Sequence, residues 1–283
     1  GLIYCSLKGF LSGPYENRVA LDEVTQMMGG LAYMTGLPDR PLRAGSSVID
    51  ITGGMFGVIA ILSALHRRRE TGEGSHVTSA LFETTAFLVG QHMAQQAVSG
   101  DAPQPMSVRQ SAWAVYDIFK LNSGERLFVG IVSDTLWQRF CEEFGLTDWA
   151  ADETLAANTG RVAARDNLLP AIRELFAPLS LAELSERLDR AGLPFSPINT
   201  PGDLFDDPHL TASGSLLPVH LTEGDHAGEQ TTLPRLPVEF GNHKPPLHRD
   251  LPKTGANNAD VLKELGLDDE AIAALTSEGV LGG

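Results

Sequence analysis

The stretch Ser46-Ser47-Val48-Ile49-Asp50-Ile51-Thr52-Gly53-Gly54-Met55-Phe56-Gly57 constrains the fold most, because it sets a lone carboxylate against three closely spaced glycines. Backbone without side chains lets a second backbone or a ligand approach closely. The mostly apolar run Val58 to Leu65 follows and ends in His66-Arg67-Arg68-Arg69. It reads as a buried helix whose C-terminal dipole is matched by cations, which puts Asp50 near the positive end. That position favours the ionised carboxylate. Two roles are open to it: capping the helix, the commoner use of Asp, or attack, as a poorly hydrated nucleophile, on an activated carbonyl in the glycine-lined space.

A chain of 283 residues buries a large core and holds one to two domains. Hydrophobic residues make up 42% and charged residues 20%, an ordinary globular balance. The net charge of −15 argues against nucleic acid or an anionic membrane as a partner, since both select clustered Lys and Arg. Local basic spots remain at Arg18, Arg40, Arg43 and Arg67 to Arg69. Cys5 and Cys141 are isolated thiols, a usage that fits a reducing, cytoplasmic setting. The histidines show no metal-ligand spacing, so no metal site is expected. The chain opens Gly1-Leu2-Ile3-Tyr4-Cys5-Ser6-Leu7, an apolar strand of the kind that needs neighbours on both sides. The expectation is that an upstream part of the fold is absent. The longest mostly apolar stretch, Ile51 to Leu65, falls short of the roughly 20 residues of a membrane span.

Further along, helices are expected over Leu21 to Met28 and over Val77 to Val89, with Thr71 to His76 as a turn and a polar loop from Gly36 to Gly45. The Pro-, Ser- and Gln-rich stretch 100–110 reads as a linker. Beyond it, Ala114 to Leu121 and Arg126 to Val132 read as a hairpin turning at Asn122-Ser123-Gly124-Glu125. Helices follow over Thr135 to Phe144, Val162 to Phe176 and from the capping box Ser180-Leu181-Ala182-Glu183 to Gly192. Phe195 to Asn199 reads as a strand, the stretch to Lys253 as irregular, and Ala259 to Leu265 and Asp269 to Thr276 as helices. The domain reading is therefore 1–99 as part of a large domain, 100–110 as linker, 111–194 as a small α+β domain, and 195–283 as a segment returning to the large one.

Several segments together resemble the class III CoA-transferases, the CaiB/BaiF family: Lys8-Gly9-Phe10, Gly13-Pro14-Tyr15, Ala20-Leu21-Asp22 with Gln26 and Gly29-Gly30, and Val48-Ile49-Asp50 through Gly54-Met55. Thr71-Gly72-Glu73-Gly74, Asp206-Asp207-Pro208-His209 and Asp260 to Gly266 continue the likeness in the same order. The resemblance implies an α/β fold with a partial Rossmann-like large domain and a smaller α+β domain. It implies Asp50 as the nucleophile that takes the acyl group from an acyl-CoA as a mixed anhydride and then carries CoA as an aspartyl thioester. Val19, Ala20, Leu21 and Asp22 fall on the family's CoA contacts, with Leu21 where many members have Tyr. Coenzyme A would then be a substrate, with no permanently bound cofactor. Backbone N–H groups at the helix start would hold the oxyanion. An interlocked homodimer is also implied.

The stretch Leu21 to Gly36 looks closest to members acting on short dicarboxyl-CoA esters such as mesaconyl-CoA, for which Arg40 or Arg43 would pair with the free carboxylate. Two other readings are an α-methylacyl-CoA racemase and an inactive fragment or scaffold. The racemases use a His upstream of the aspartate, whereas the first His here is His66, which favours transfer.

Overall fold

A computed structural model describes residues 1–109, 111–241, 243–247 and 249–282. Gln110 of the expected linker, and Asn242, His248 and Gly283 of the expected return segment, lie outside the described residues. The chain divides into two compact units, Gly1–Ala112 and Trp113–Gly283.

The first unit is built on β1 (Ile3–Lys8), α1 (Asp22–Met28), α2 (Leu31–Thr35), α3 (Val48–Thr71), β2 (Ser75–Ala80), α4 (Leu81–Leu88) and α5 (Gly90–Ser99). β1 and β2 pair in parallel from Ile3↔Ser75 to Lys8↔Ala80, and the chain between them makes the crossover that parallel strands require. The expected helix from Val77 thus begins as a strand. Its residues through Ala80 pair with β1, and only from Leu81 does the chain turn helical.

α3 starts ten residues before the run that suggested it and takes in all three glycines. Glycine costs a helix about 1 kcal/mol relative to Ala, and packing is what it gives in return. A Cβ on Gly57 would lie 2.8 Å from Leu7 Cδ2, and one on Gly53 would lie 3.2 Å from Leu81 Cδ2, so both glycines let the helix seat closely on its neighbours. The Ser79 hydroxyl donates to the Gly53 carbonyl at 2.8 Å and fixes the contact. Gly72, at φ 74°, ends the helix, with Arg68 and Arg69 in its last turn.

The helix is not the buried rod the sequence suggested. Ile51, Met55, Val58, Ile59 and Leu62 recur at helical spacing and are all exposed, forming an apolar face opposite the one that packs on the sheet. At 24 residues α3 is also long and apolar enough to cross a membrane by length and composition, contrary to the estimate from the apolar run alone. One of its faces packs on β1, β2 and α4.

In the second unit β3 (Tyr116–Lys120), β4 (Arg126–Gly130) and a later strand form an antiparallel sheet, with α6 (Asp134–Phe144), α7 (Thr147–Ala151), α8 (Asn158–Ala163), α9 (Arg165–Phe176) and α10 (Leu181–Arg190) following β4. The later strand is β5 (Phe195–Pro197), which pairs with β4. Its core joins Phe119, Leu127, Trp137, Phe140, Phe176 and Leu188. The single helix expected over Val162 to Phe176 is broken at Ala164 into α8 and α9. Ser180 Oγ accepts from the Glu183 N–H, as the capping pattern predicted. After α11 (Pro208–Ala212) comes a hairpin, β6 (Leu216–His220) with β7 (Gln230–Pro234), in a stretch read as irregular. α12 (Asn258–Glu264) and α13 (Asp269–Ser277) close the chain.

Candidate functional site

Asp50 is the third residue of α3, inside the first turn rather than at the cap. Ser47 occupies the cap position, but its side chain accepts no hydrogen bond there. The capping carboxylate comes from α1: Asp22 Oδ2 accepts the backbone N–H of Ile49 at 2.8 Å and that of Asp50 at 3.2 Å. Asp22 is only 6% exposed. Its other oxygen accepts from Gln26 Nε2, and Gln26 Oε1 in turn accepts the Ala44 N–H at 2.8 Å. One buried network therefore fixes α1, the loop before α3 and the turn that carries Asp50.

The arrangement removes an expected feature. With the N–H groups of Ile49 and Asp50 bound to Asp22, Val48 N bound to Ser46 O and Ile51 N bound to Ser47 O, the first turn of α3 has no free donor for an oxyanion. The positive end of the helix is answered by Asp22, 28 residues earlier in the chain than Asp50.

The Asp50 carboxylate is exposed, not poorly hydrated as the sequence suggested, and it lies on the wall of a cleft of about 330 Å³. Leu7, Lys8 and Gly9 at the end of β1, and Ser79, Ala80 and Leu81 at the end of β2, form much of the rest. Carboxyl ends of parallel strands are where ligands of open α/β sheets bind. Gly9 belongs there for a steric reason: a Cβ on it would meet the Ala20 methyl carbon at 2.2 Å, so only glycine lets the 19–20 segment close over the strand end. Lys8 supplies the one cation among the residues lining the cleft, and it pairs with Glu16 at 3.1 Å.

Of the four residues placed on CoA contacts by resemblance, Ala20 lines this cleft, Val19 and Leu21 are exposed beside it, and the Asp22 side chain is committed to α3. Arg43 lies 3.9 Å from Glu23, and Arg40 N–H bonds the Leu37 carbonyl in the preceding loop; neither lines the cleft. His66 stands 16 residues along α3, about 24 Å from Asp50 by helical rise. Ser79 was missed because its strand was read as helix, and Leu81, the first residue of α4, because nothing in its own neighbourhood shows that it borders the cleft. A second cleft in this unit, about 390 Å³, is lined mainly by apolar groups including Met28, Tyr33, Met34, Phe82, Val89 and Met93. It has no carboxylate or thiol among its lining residues, and the groups there able to act as nucleophiles are the His92 imidazole and the Tyr33 phenol, whose hydroxyl donates to the Pro103 carbonyl at 3.2 Å.

The model of CoA-transferase family III matches residues 1–258. A succinate–glutarate CoA-transferase of Agrobacterium fabrum is 30% identical over 268 residues, which cover 93% of this chain and 65% of that protein. The chain thus spans less than two thirds of that relative's length. A succinyl-CoA:mesaconate CoA-transferase of Haloarcula hispanica is 28% identical over 94% of this chain and 67% of its own. The crystal structure of a CaiB/BaiF family protein from Brucella suis superposes with a TM-score of 0.78 at 31% identity, covering 93% of this chain and 68% of that one.

Proposed function

This chain belongs to CoA-transferase family III and has a CaiB/BaiF-like, mixed α/β fold, and from that premise we propose that it moves CoA between an acyl-CoA thioester and a carboxylic acid through Asp50. An Asp50 oxygen attacks the thioester carbonyl carbon, the C–S bond breaks, and its electron pair leaves on the CoA thiolate. The product is an acyl-aspartyl anhydride. The thiolate then attacks the aspartyl carbonyl, releases the first acid as its carboxylate and leaves an aspartyl-CoA thioester. An incoming carboxylate reverses both steps, so no proton need be stored on the protein.

The observation that carries this reading is the position of Asp50, an exposed carboxylate on a cleft at the carboxyl ends of two parallel strands, held by a buried network. Short dicarboxylates are the proposed acids, because the relatives named for succinate, glutarate and mesaconate match nearly the whole chain. Lys8 is the group on the cleft wall that attracts their anionic ends. The apolar face of α3 is a surface that an oligomer would bury, which supports a homodimer. A sedimentation experiment giving monomer at every concentration would count against that assembly.

The reaction is tested by following CoA transfer from succinyl-CoA to glutarate and to mesaconate. Asp50→Asn is expected to lower transfer at least about a thousand-fold, as for loss of a covalent nucleophile. Transfer by Asp50→Asn at the parent rate overturns the proposal.

A further inference from the structure

Gly53, Gly54 and Gly57 are not equivalent. Cβ atoms built on Gly53 and Gly57 meet Leu81 and Leu7, whereas one built on Gly54 has nothing within 4 Å. Packing therefore accounts for two of the glycines and leaves the third unexplained, although glycine there weakens a helix interior. Gly54 lines the same cleft as Asp50. The two are related by i, i+4, so they share a face of α3 with Cβ positions about 5–6 Å apart. A helical side chain leans toward the N-terminus and covers the turn before its own Cα. Any side chain at 54 would lean over the Asp50 carboxylate.

We propose that Gly54 is a specificity-determining position: its missing side chain leaves open the approach to Asp50 and sets how bulky an acyl group beside the thioester carbonyl is admitted. The inference rests on Asp50 as the acyl acceptor. The acyl carbon must come within bonding range of an Asp50 oxygen while its substituents occupy the space above the next turn of the helix. With glycine at 54 that space is free for the substrate. A methyl group takes part of it, and a leucine side chain fills it.

The test uses Gly54→Ala and Gly54→Leu. Gly54→Ala is expected to unfold at the parent temperature or slightly above it, since its methyl group meets no neighbour within 4 Å and Ala favours helix over glycine, and thermal unfolding establishes that Gly54→Leu is folded before it is compared. In one arm, the unliganded protein is treated with a water-soluble carbodiimide and an amine, and modification of Asp50 is timed by mass spectrometry. Labelling should slow at least roughly five-fold in Gly54→Leu and less in Gly54→Ala, in line with the shielding argument. In the other, succinyl-CoA is compared with its α-methyl-branched counterpart as donor. Preference for the unbranched donor should rise by roughly ten- to a hundred-fold in Gly54→Ala, the discrimination a pocket exerts over one carbon, and Gly54→Leu should use neither well. Parent labelling in a folded Gly54→Leu, or an unchanged donor ratio in Gly54→Ala, overturns the inference. Failure of the nucleophile reading shows separately, as transfer that survives Asp50→Asn while the labelling arm still reports on the cover at 54.

Discussion

Removing the Asp22 carboxylate tests whether α1 holds the turn that carries Asp50. In Asp22→Ala the N–H groups of Ile49 and Asp50 lose the acceptor now 2.8 and 3.2 Å away, and the Gln26 amide loses its partner. Hydrogen bonds to charged groups contribute about 1.5–3 kcal/mol each, and a cap alone about 0.5–2 kcal/mol. Water reaches the exposed Asp50 side of the turn and recovers part of the loss, so the expected cost is about 2–4 kcal/mol. Asp22→Asn keeps one acceptor oxygen but loses the charge that faces the helix dipole, and should cost about half as much. Urea unfolding measures the total, and amide hydrogen exchange at Ile49 and Asp50 measures the local effect. Both amides should exchange faster in Asp22→Ala, with the Asn variant between. Unchanged protection at these two amides, or a cost below about 0.5 kcal/mol, would refute the assignment of Asp22 as the cap of α3.

In the second unit, Arg161 is 1% exposed, donates to the Leu155 and Ala156 carbonyls at 2.7 and 2.8 Å, pairs with Asp134 and lies 5.3 Å from the centre of the Trp137 ring. Arg161→Met leaves both carbonyls without a donor and should cost about 2–4 kcal/mol in chemical denaturation; a cost near zero contradicts it. Burial pushes the Cys141 thiol up to about 11, so it should resist iodoacetamide at pH 8 in the native protein and react faster as pH approaches that value. The same shift has a sign for stability: the unfolded thiol ionises near 9.0 and the folded one near 11, so its contribution is complete below pH 9 and is lost as pH rises through 11. Alkylation of native Cys141 at pH 8 at the unfolded rate would contradict both statements.

The sequence shows local structure where local rules decide it. The β3–β4 turn and the Ser180 cap were both legible because each depends on residues within one turn of one another. It misleads where distant residues decide. The start of α3 is rich in glycine and helical only because β1, β2 and α4 pack against it, a tertiary override of propensity. β2 is defined by pairing 72 positions away in the chain, from Ile3 to Ser75, and its Ser-His-Val-Thr-Ser-Ala run is too short to separate strand from helix by period. In the β6–β7 hairpin, Pro218 and Pro234 hide the alternation. At the candidate site, Asp50 stood out from its own neighbourhood, while the capping of α3 by Asp22 did not, since a carboxylate in the first turn of one helix gives no local sign that it caps another.

Trapping the covalent intermediate tests the central claim most directly. The protein is incubated with succinyl-CoA, treated with hydroxylamine or borohydride, and its peptides are mapped by mass spectrometry. A hydroxamate or a reduced side chain confined to Asp50, and absent when the thioester is omitted, is the predicted result. Turnover with Asp50 unmodified, or with the adduct on another residue, would contradict the account.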